Sequence, residues 1–340
     1  MVWICKRSKF LIKIMSFTGN KLLTASQGNL PPLTWVSTTV PQTAQFGKVG
    51  YGNGRFVSVT DSQATSSASI YSDDGITWVS GGALPATVPY GQIAFGNGRF
   101  VATGASTTTN VVATSNNGGV TWSNASGIDR PTIRFVASRG VAYGNGVFVI
   151  GGDATTGAGI LWEPFAYSSD GVNFISSTTA IYDNYSYRSI AFGNGRFVAL
   201  EYGGSIMYSN NATTWTYNNA LVSTPVKWLS ITYGNGRFVA TSEASNLIGY
   251  SFDGINWSTS TLPVSGTWGD VTFANGRFVA VETVFSSSQT FNYIYSSNGI
   301  NWTTGTINPL SSTFKGITFG EGKFVAVGQS STGPLASYTI

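Results

Sequence analysis

Residues 51–57, with the sequence YGNGRFV, decide the fold because close copies of this stretch occur seven times along the chain. The other copies are residues 95–101, 143–149, 192–198, 233–239, 273–279 and 319–325, spaced 40 to 49 residues apart. Each copy predicts a strand that ends in Tyr or Phe, a tight Gly-x-Gly turn with positive φ, and a second strand that begins with Arg-Phe-Val. The repeat therefore predicts one β-hairpin per unit.

A second hairpin motif follows in six of the units. Its copies are YSDDGITW (71–78), TSNNGGVTW (114–122), YSSDGVNF (167–174), YSNNATTW (208–215), YSFDGINW (250–257) and YSSNGINW (295–302). Asp-Gly or Asn-Gly between alternating apolar residues favours a type I′ turn. Two hairpins make a four-stranded antiparallel unit, which buries both faces only when other units stack around an axis. Seven units predict an all-β fold, a seven-bladed β-propeller over residues 30–340.

The two ends of the repeat array predict how the ring closes. The last unit ends after its third strand, at LASYTI (335–340), while LTWVSTT (33–39) precedes the first hairpin without a partner. We expect the amino-terminal strand to complete the seventh blade, because opening the ring would then break a whole ladder of hydrogen bonds.

The second motif resembles the Asp-box, or bacterial neuraminidase repeat, with its Ser-x-Asp-x-Gly-x-Thr-Trp pattern. The copy in blade 2 matches that spacing with Asn in place of Asp, and the other copies are one residue shorter. The resemblance implies a structural turn in which Ser and Asp bind the turn backbone and the aromatic residue packs between strands. The residues concerned are Ser72, Asp74 and Trp78; Ser115, Asn117 and Trp122; Ser168, Asp170 and Phe174; Ser209, Asn211 and Trp215; Ser251, Asp253 and Trp257; and Ser296, Asn298 and Trp302.

Composition limits the chemistry available to the chain. Only 9% of residues are charged, there is no histidine, and Cys5 is the one cysteine. Ser-His and Cys-His nucleophiles, intrachain disulfides and cysteine metal clusters are therefore excluded. We expect no cofactor, no metal and no catalytic residues.

Basic residues are concentrated at the amino terminus. Residues 1–29 hold five basic residues and no acid, which leaves 13 basic and 14 acidic residues in the remainder. We interpret residues 1–29 as a basic arm that docks on a partner or is poorly structured, with Met15 as an alternative start. The sequence predicts neither a signal peptide nor a membrane span. A nearly neutral body makes nucleic acid an unlikely partner.

Ligand binding is expected on the rim that carries the variable connections, opposite the two kinds of turn. Aromatic residues in or beside these connections are candidates for stacking on a sugar or on a protein surface, and packing between blades is the equal alternative. The candidates are Trp162, Tyr182, Tyr185, Tyr187, Trp228 and Trp268.

A sialidase-like glycosidase is the enzyme hypothesis that the resemblance raises. That family uses an arginine triad, a Tyr nucleophile with a Glu, an Asp acid and an Arg-Ile-Pro motif, and this motif is missing here. Five arginines share one repeat position with Lys323, so we interpret them as packing residues whose guanidinium groups bind turn carbonyls, with an anion-binding ring as the alternative. They are Arg55, Arg99, Arg196, Arg237 and Arg277.

Four acids follow the second strand of four blades and could converge near the channel mouth, as a hydrolase or cation site would require. They are Asp61, Glu201, Glu243 and Glu282. Polar strand ends are the simpler explanation.

The sequence thus predicts a non-catalytic structural or binding module. The few charges and Ser/Thr/Gly-rich loops also resemble propellers of phage virions, which implies a virion or extracellular location. There it would bind a host glycan or another virion subunit through the variable loops. A glycan-cleaving hydrolase and an assembly-factor scaffold are the alternatives.

Overall fold

The structure is a computed structural model that describes residues 30–41, 44–61, 68–104, 111–127, 135–154, 163–179, 186–221, 226–284, 292–308, 312–330 and 333–340. For residues 135–139, 153–154 and 330 it describes the backbone alone. The predicted arm at residues 1–29 lies outside these ranges. Pro32–Ile340 forms one compact unit.

Within the described ranges, twenty-eight strands form seven four-stranded antiparallel sheets. Blade 1 contains β2 (Phe46–Gly52), β3 (Arg55–Thr60), β4 (Ala68–Ser72) and β5 (Val79–Ala83). Blade 2 contains β6 (Tyr90–Gly96), β7 (Arg99–Gly104), β8 (Val111–Ser115) and β9 (Ser123–Asn124). Blade 3 contains β10 (Phe135–Gly144), β11 (Val147–Ala154), β12 (Phe165–Ser168) and β13 (Ile175–Ser176). Blade 4 contains β14 (Tyr187–Gly193), β15 (Arg196–Glu201), β16 (Ile206–Ser209) and β17 (Thr216–Asn218).

The remaining three blades repeat this plan. Blade 5 contains β18 (Lys227–Gly234), β19 (Arg237–Glu243), β20 (Ser245–Ser251) and β21 (Ser258–Gly266). Blade 6 contains β22 (Trp268–Ala274), β23 (Arg277–Glu282), β24 (Tyr293–Ser296) and β25 (Thr303–Gly305). Blade 7 contains β26 (Thr313–Gly320), β27 (Lys323–Ser330), β28 (Gly333–Thr339) and β1 (Trp35–Thr39). Among the described residues no helix is long and apolar enough to cross a membrane.

Ring closure is confirmed. β1 pairs antiparallel with β28, from Trp35 opposite Thr339 to Thr39 opposite Leu335. The first strands of successive blades contact one another around the whole circle, β26 returning to β2, so they surround the central channel. We call the rim that carries both kinds of turn the turn rim, and the opposite rim the loop rim.

The first turn of each blade matches the sequence prediction in part. Asn53 and Gly54 both have positive φ, 51° and 74°, as a two-residue turn of this kind requires. The first glycine has another role: a Cβ on Gly96 would lie 2.1 Å from the Cγ atom of Tyr143 in the next blade. Five other blades have the same glycine–aromatic contact, and blade 6 has Ala274 there instead. The motif therefore encodes packing between blades as well as the turn.

Candidate functional site

The second turns have the hydrogen bonds expected of Ser and Asp but not the predicted backbone. In blade 1 the hydroxyl of Ser72 donates to Asp74 Oδ1 over 2.9 Å and accepts from Gly75 N–H. Asp74 Oδ1 also accepts two further backbone N–H groups. Only Gly75 has positive φ, 72°, and the turns of blades 3 to 6 likewise have one such residue each, whereas type I′ needs two, so the type I′ prediction was wrong for these five turns. The longer turn of blade 2 has two, Gly118 and Gly119. In blade 1 the carboxylate supplies the acceptor that holds the wider turn.

Equivalent Ser–Asp or Ser–Asn hydrogen bonds occur in the five other blades that carry the motif. The aromatic residue of the turn is mostly or fully buried in Trp78, Phe174, Trp215 and Trp302 and half-buried in Trp122 and Trp257. These residues build the blades, and their side chains are occupied by the turn itself.

The repeated arginines bind neighbouring turns. Arg196 donates to the backbone carbonyl of Asp253 in blade 5, and Arg237 donates to that of Asn298 in blade 6. The Arg237 guanidinium also lies 4.7 Å from the ring centre of Phe252. Arg55, Arg196 and Arg277 lie over tyrosine rings in the same way. This is the packing role predicted for the group, and the arginines are spread around the ring instead of meeting at one substrate carboxylate.

Three of the candidate ligand-binding aromatics lie in the interior. Tyr187, Trp228 and Trp268 are each 0% exposed. Each stands five residues before the aromatic that precedes the Gly-x-Gly turn, where other blades place Phe46, Tyr90 and Phe314. These side chains pack in the cores between blades, so the expectation that they contact a ligand is corrected. Aligning the seven inner strands would have revealed this shared position.

The other three candidates, Trp162, Tyr182 and Tyr185, lie outside the described residues. Of the arginines outside the repeated position that a sialidase-like triad would have needed, Arg130 and Arg134 also lie outside the described residues, and the side chain of Arg139 is not described.

Three of the four acids on the loop rim, Asp61, Glu201 and Glu243, have separate partners. Asp61 Oδ2 lies 2.8 Å from Lys315 Nζ in blade 7. Glu201 is buried and its Oε2 accepts the N–H of Gly203 at 2.6 Å, while burial raises the pKa of its carboxyl. Glu282 is 3% exposed. Over the described residues no group of three or more acidic, Cys or His side chains is placed to hold a metal ion.

An ion pair that the sequence analysis missed crosses the central channel. Lys48 Nζ in blade 1 lies 2.8 Å from Asp270 Oδ1 in blade 6, with blade 7 between them. Asp270 also accepts the hydroxyl of Ser230 at 2.9 Å in blade 5 and the N–H of Ile317 at 2.9 Å in blade 7. One carboxylate thus joins four blades. At the position of Asp270, the inner strands of the other blades have uncharged residues, except for Lys48 in blade 1. One acid and one base at an otherwise uncharged position is the signal that an alignment of the inner strands would have shown.

A mixed charged and aromatic group lies on the loop rim between blades 4 and 5. The Arg188 guanidinium is 3.8 Å and Lys227 Nζ is 5.0 Å from the ring centre of Tyr202. The Tyr202 hydroxyl donates to Glu243, whose carboxylate also lies 3.9 Å from Lys227. We call these four residues the rim cluster. The Lys227 side chain is 60% exposed and the other three are half-buried, so the cluster presents to solvent an aromatic residue with two cations close to its ring.

Comparison with known proteins identifies the fold and no family. No family model matches the chain, and no curated protein matches its sequence. YCF48 bound to D1 peptide shares 16% identity, with a TM-score of 0.64 over 92% of this chain and 98% of that one. A catalytically inactive His→Ala variant of virginiamycin B lyase from Staphylococcus aureus with quinupristin shares 14%, with a TM-score of 0.68 over 91% and 99%. The GH74 xyloglucanase from Xanthomonas campestris shares 12%, with a TM-score of 0.57 over 83% and 50%.

The chain is a seven-bladed β-propeller. Its fold neighbours include a peptide-bound propeller and a lyase, and identities this low carry the fold alone.

Proposed function

We propose that this propeller is a non-catalytic module that binds another protein through the loop rim, with the rim cluster at the centre of the contact. The observation that carries the proposal is Tyr202, half-exposed with the cations of Arg188 and Lys227 close to its ring. Tyr and Arg are enriched among the residues that contribute most to protein–protein binding. The local ion pair with Glu243 holds the side chains in place before a partner arrives, which lowers the entropy lost on binding.

The chemistry of the chain supports a binding role over an enzymatic one. Virginiamycin B lyase, which has a similar fold, is catalytically inactive in the variant that has alanine in place of a histidine. The present chain contains no histidine. On the loop rim Asp61 and Glu243 are each paired with a lysine, and Glu201 is bound by backbone N–H groups. Glycoside hydrolysis needs two carboxyl groups that face one substrate bond, and each of these three acids has its own local partner.

We propose a virion or cell-surface assembly as the setting, in which the loop rim contacts another structural subunit. The support is compositional: few charges, no histidine and Ser/Thr/Gly-rich connections. Burial of Tyr187, Trp228 and Trp268 removes three of the aromatic rings that favoured a glycan on this rim. An assembly-factor scaffold is the second candidate, because a fold neighbour, YCF48, is bound to a peptide.

Cross-linking mass spectrometry of the assembly that contains this protein tests the rim. Lys227 and Lys315 report on the loop rim, and Lys323, beside the first turn of blade 7, is the matched lysine on the turn rim. We expect cross-links to a second polypeptide from Lys227 and Lys315 and few from Lys323. Cross-links concentrated at Lys323 would place the contact on the turn rim and contradict the proposal.

The purified partner then allows a direct binding measurement. We expect the double charge reversal Arg188→Glu with Lys227→Glu to weaken binding about 10- to 100-fold, as loss of a central interface arginine does. Lys323→Glu is the control and leaves affinity unchanged. Equal affinity of the double variant and the control, or turnover of a glycan by the purified protein, would contradict the proposal.

A further inference from the structure

Two departures from the repeat meet at one place, between blades 1 and 2 on the turn rim. The residue after the turn serine is Asp73 in blade 1 and Asn, Ser or Phe in the other five blades with this turn. The turn of blade 2 has one residue more than its counterparts and carries two glycines with positive φ, Gly118 and Gly119. Gly119 of the longer turn also accepts hydrogen bonds from Ser69 and from Gly82 N–H in blade 1, so this interface differs from the others in both its turns.

The first exception changes the partner of an arginine. In blades 4 and 5 the guanidinium reaches across to a carbonyl of the next blade, and Arg196 also binds Asn210 of its own blade through Nε. Arg55 makes a two-pronged ion pair with a carboxylate of its own blade, with Nε 2.5 Å from Asp73 Oδ1 and Nη2 3.1 Å from Oδ2. The remaining nitrogen, Nη1, faces the blade 2 turn, 3.1 Å from where a Cβ on Gly118 would lie. The Arg55 side chain thus packs against the blade 2 turn, as Arg99 and Arg237 pack against Gly171 and Gly299 of their next blades.

A polar pocket of about 260 Å³ lies between the two blades. Its lining includes the ion-paired Arg55 and Asp73, Asn116 and Asn117 of the blade 2 turn, and Asn53 and Phe95. Asn97 and Asn235 donate across to the next blade's turn carbonyl in their own interfaces. Asn53, their equivalent, makes no such side-chain bond within the part of the chain that the structure describes, and neither does Asn116. Two exposed amides therefore face the pocket.

We propose that this pocket binds one neutral sugar ring. The charges of Arg55 and Asp73 cancel, which favours a ligand without net charge over an anion or a cation. Carboxylate, guanidinium and amide groups together supply acceptors and donors for adjacent hydroxyls, each of which both donates and accepts. The half-buried Phe95 ring offers an apolar surface to the C–H face of the sugar. The volume lies just below the range of drug-sized ligand sites, which suits a single ring. This site is on the rim opposite the rim cluster and does not depend on the function proposed above.

Saturation-transfer NMR on the full chain tests the pocket. The probes are glucose, galactose, mannose, fucose and N-acetylglucosamine as free sugars, with glucuronate and glucosamine as charged counterparts. A second arm uses oligosaccharides that end in the same sugars, which separates a free metabolite from a glycan terminus. We expect one or more neutral sugars to bind and the charged counterpart of that sugar to bind more weakly.

Pocket variants locate the binding. Asp73→Asn keeps the shape but removes the charge that holds Arg55, so we expect affinity to fall about 10- to 100-fold, as for loss of a hydrogen bond to a charged group. Asn116→Trp, on an exposed turn residue, fills the pocket and abolishes binding. Asn210→Ala changes the equivalent residue of blade 4 and leaves binding unchanged. Thermal melts of all three variants confirm that they fold.

Three results would overturn the proposal. They are no binding of any neutral sugar at millimolar concentration, full binding by both Asp73→Asn and Asn116→Trp, or tighter binding of the charged probes. Cross-linking of the loop rim is unaffected by each of these outcomes, so failure here is distinguishable from failure of the proposed function.

Discussion

Replacing Asp270 by alanine should destabilise the whole propeller, because this carboxylate joins four blades across the channel. The variant loses the 2.8 Å contact with Lys48, the Ser230 hydrogen bond and the Ile317 N–H hydrogen bond. The Lys48 ammonium keeps its hydrogen bond to the Gly269 carbonyl but loses its counter-charge, and the Ile317 N–H loses its acceptor. The Lys48 and Asp270 side chains are each 12% exposed, so solvent screens the pair weakly.

The expected loss of unfolding free energy follows from the burial of these two side chains. Removing one partner of a buried ion pair costs about 3–5 kcal/mol, since the other charge stays desolvated. For a domain of this size, an unfolding entropy of about 2 cal/mol/K per residue converts that loss into a Tm decrease of about 5–8 °C. A double-mutant cycle with Lys48→Met should give a coupling energy of about 1–3 kcal/mol, because the two groups touch.

Urea unfolding followed by tryptophan fluorescence, together with calorimetry, measures both quantities. The matched control is the Asp61–Lys315 pair, which has the same 2.8 Å separation but side-chain exposures of 31% and 33%. Asp61→Ala should cost about 1 kcal/mol or less, as half-exposed pairs do. If Asp270→Ala costs no more than Asp61→Ala, or if the coupling energy is under about 0.5 kcal/mol, the argument from burial and from the four-blade connection is refuted.

Three further predictions concern the repeated devices. Arg237→Ala removes the hydrogen bond to the Asn298 carbonyl and should lower the free energy of unfolding by about 1–3 kcal/mol in urea titrations, whereas Arg237→Lys should recover only part of it. Gly96→Ala places a methyl group against Tyr143 and should cost about 1–3 kcal/mol, while Ala274→Gly in blade 6 should cost less; equal costs would show that the rings shift freely. Hydrogen bonds from the Asn173 and Val172 N–H groups and from Ser168 lower the pKa of Asp170. The contribution of this carboxylate to stability is therefore present above the unfolded carboxyl pKa of about 3.9 and is lost as pH falls through the folded pKa. Asp170→Asn should therefore reduce the loss of stability between about pH 4 and pH 2, and an unchanged acid profile would argue against this role.

Most of the fold could be predicted from local sequence. The Asn-Gly pairs set the first turns, and the Ser–Asp and Ser–Asn pairs marked the second ones, although the backbone of five of the second turns was assigned wrongly. An Asp-Gly pair in the sequence alone predicts a two-residue turn. The structure shows a wider turn because the carboxylate accepts backbone N–H groups and replaces the second positive-φ residue.

The candidate site could not be predicted in the same way. Trp228 and Trp268 follow variable loops in the sequence, which suggested that they are exposed. In the structure, a bulge in each inner strand directs their side chains into the cores between blades. The rim cluster combines Arg188 and Tyr202 of blade 4 with Lys227 and Glu243 of blade 5. Residues this far apart in sequence meet only because neighbouring blades stack.

The sequence by itself determined the number of blades, the strands within each blade, both kinds of turn and the strand that closes the ring. The strands and turns depend on backbone conformation and on contacts within one repeat, which occurs seven times, and the unpaired strands at the two ends of the array indicated the closure. Only the tertiary structure decided which polar groups meet: Lys48 with Asp270 across the channel, and Arg55 with Asp73 beside the open pocket. Such contacts depend on the distance between blades and on the direction of each side chain, and these are set by the closed ring as a whole.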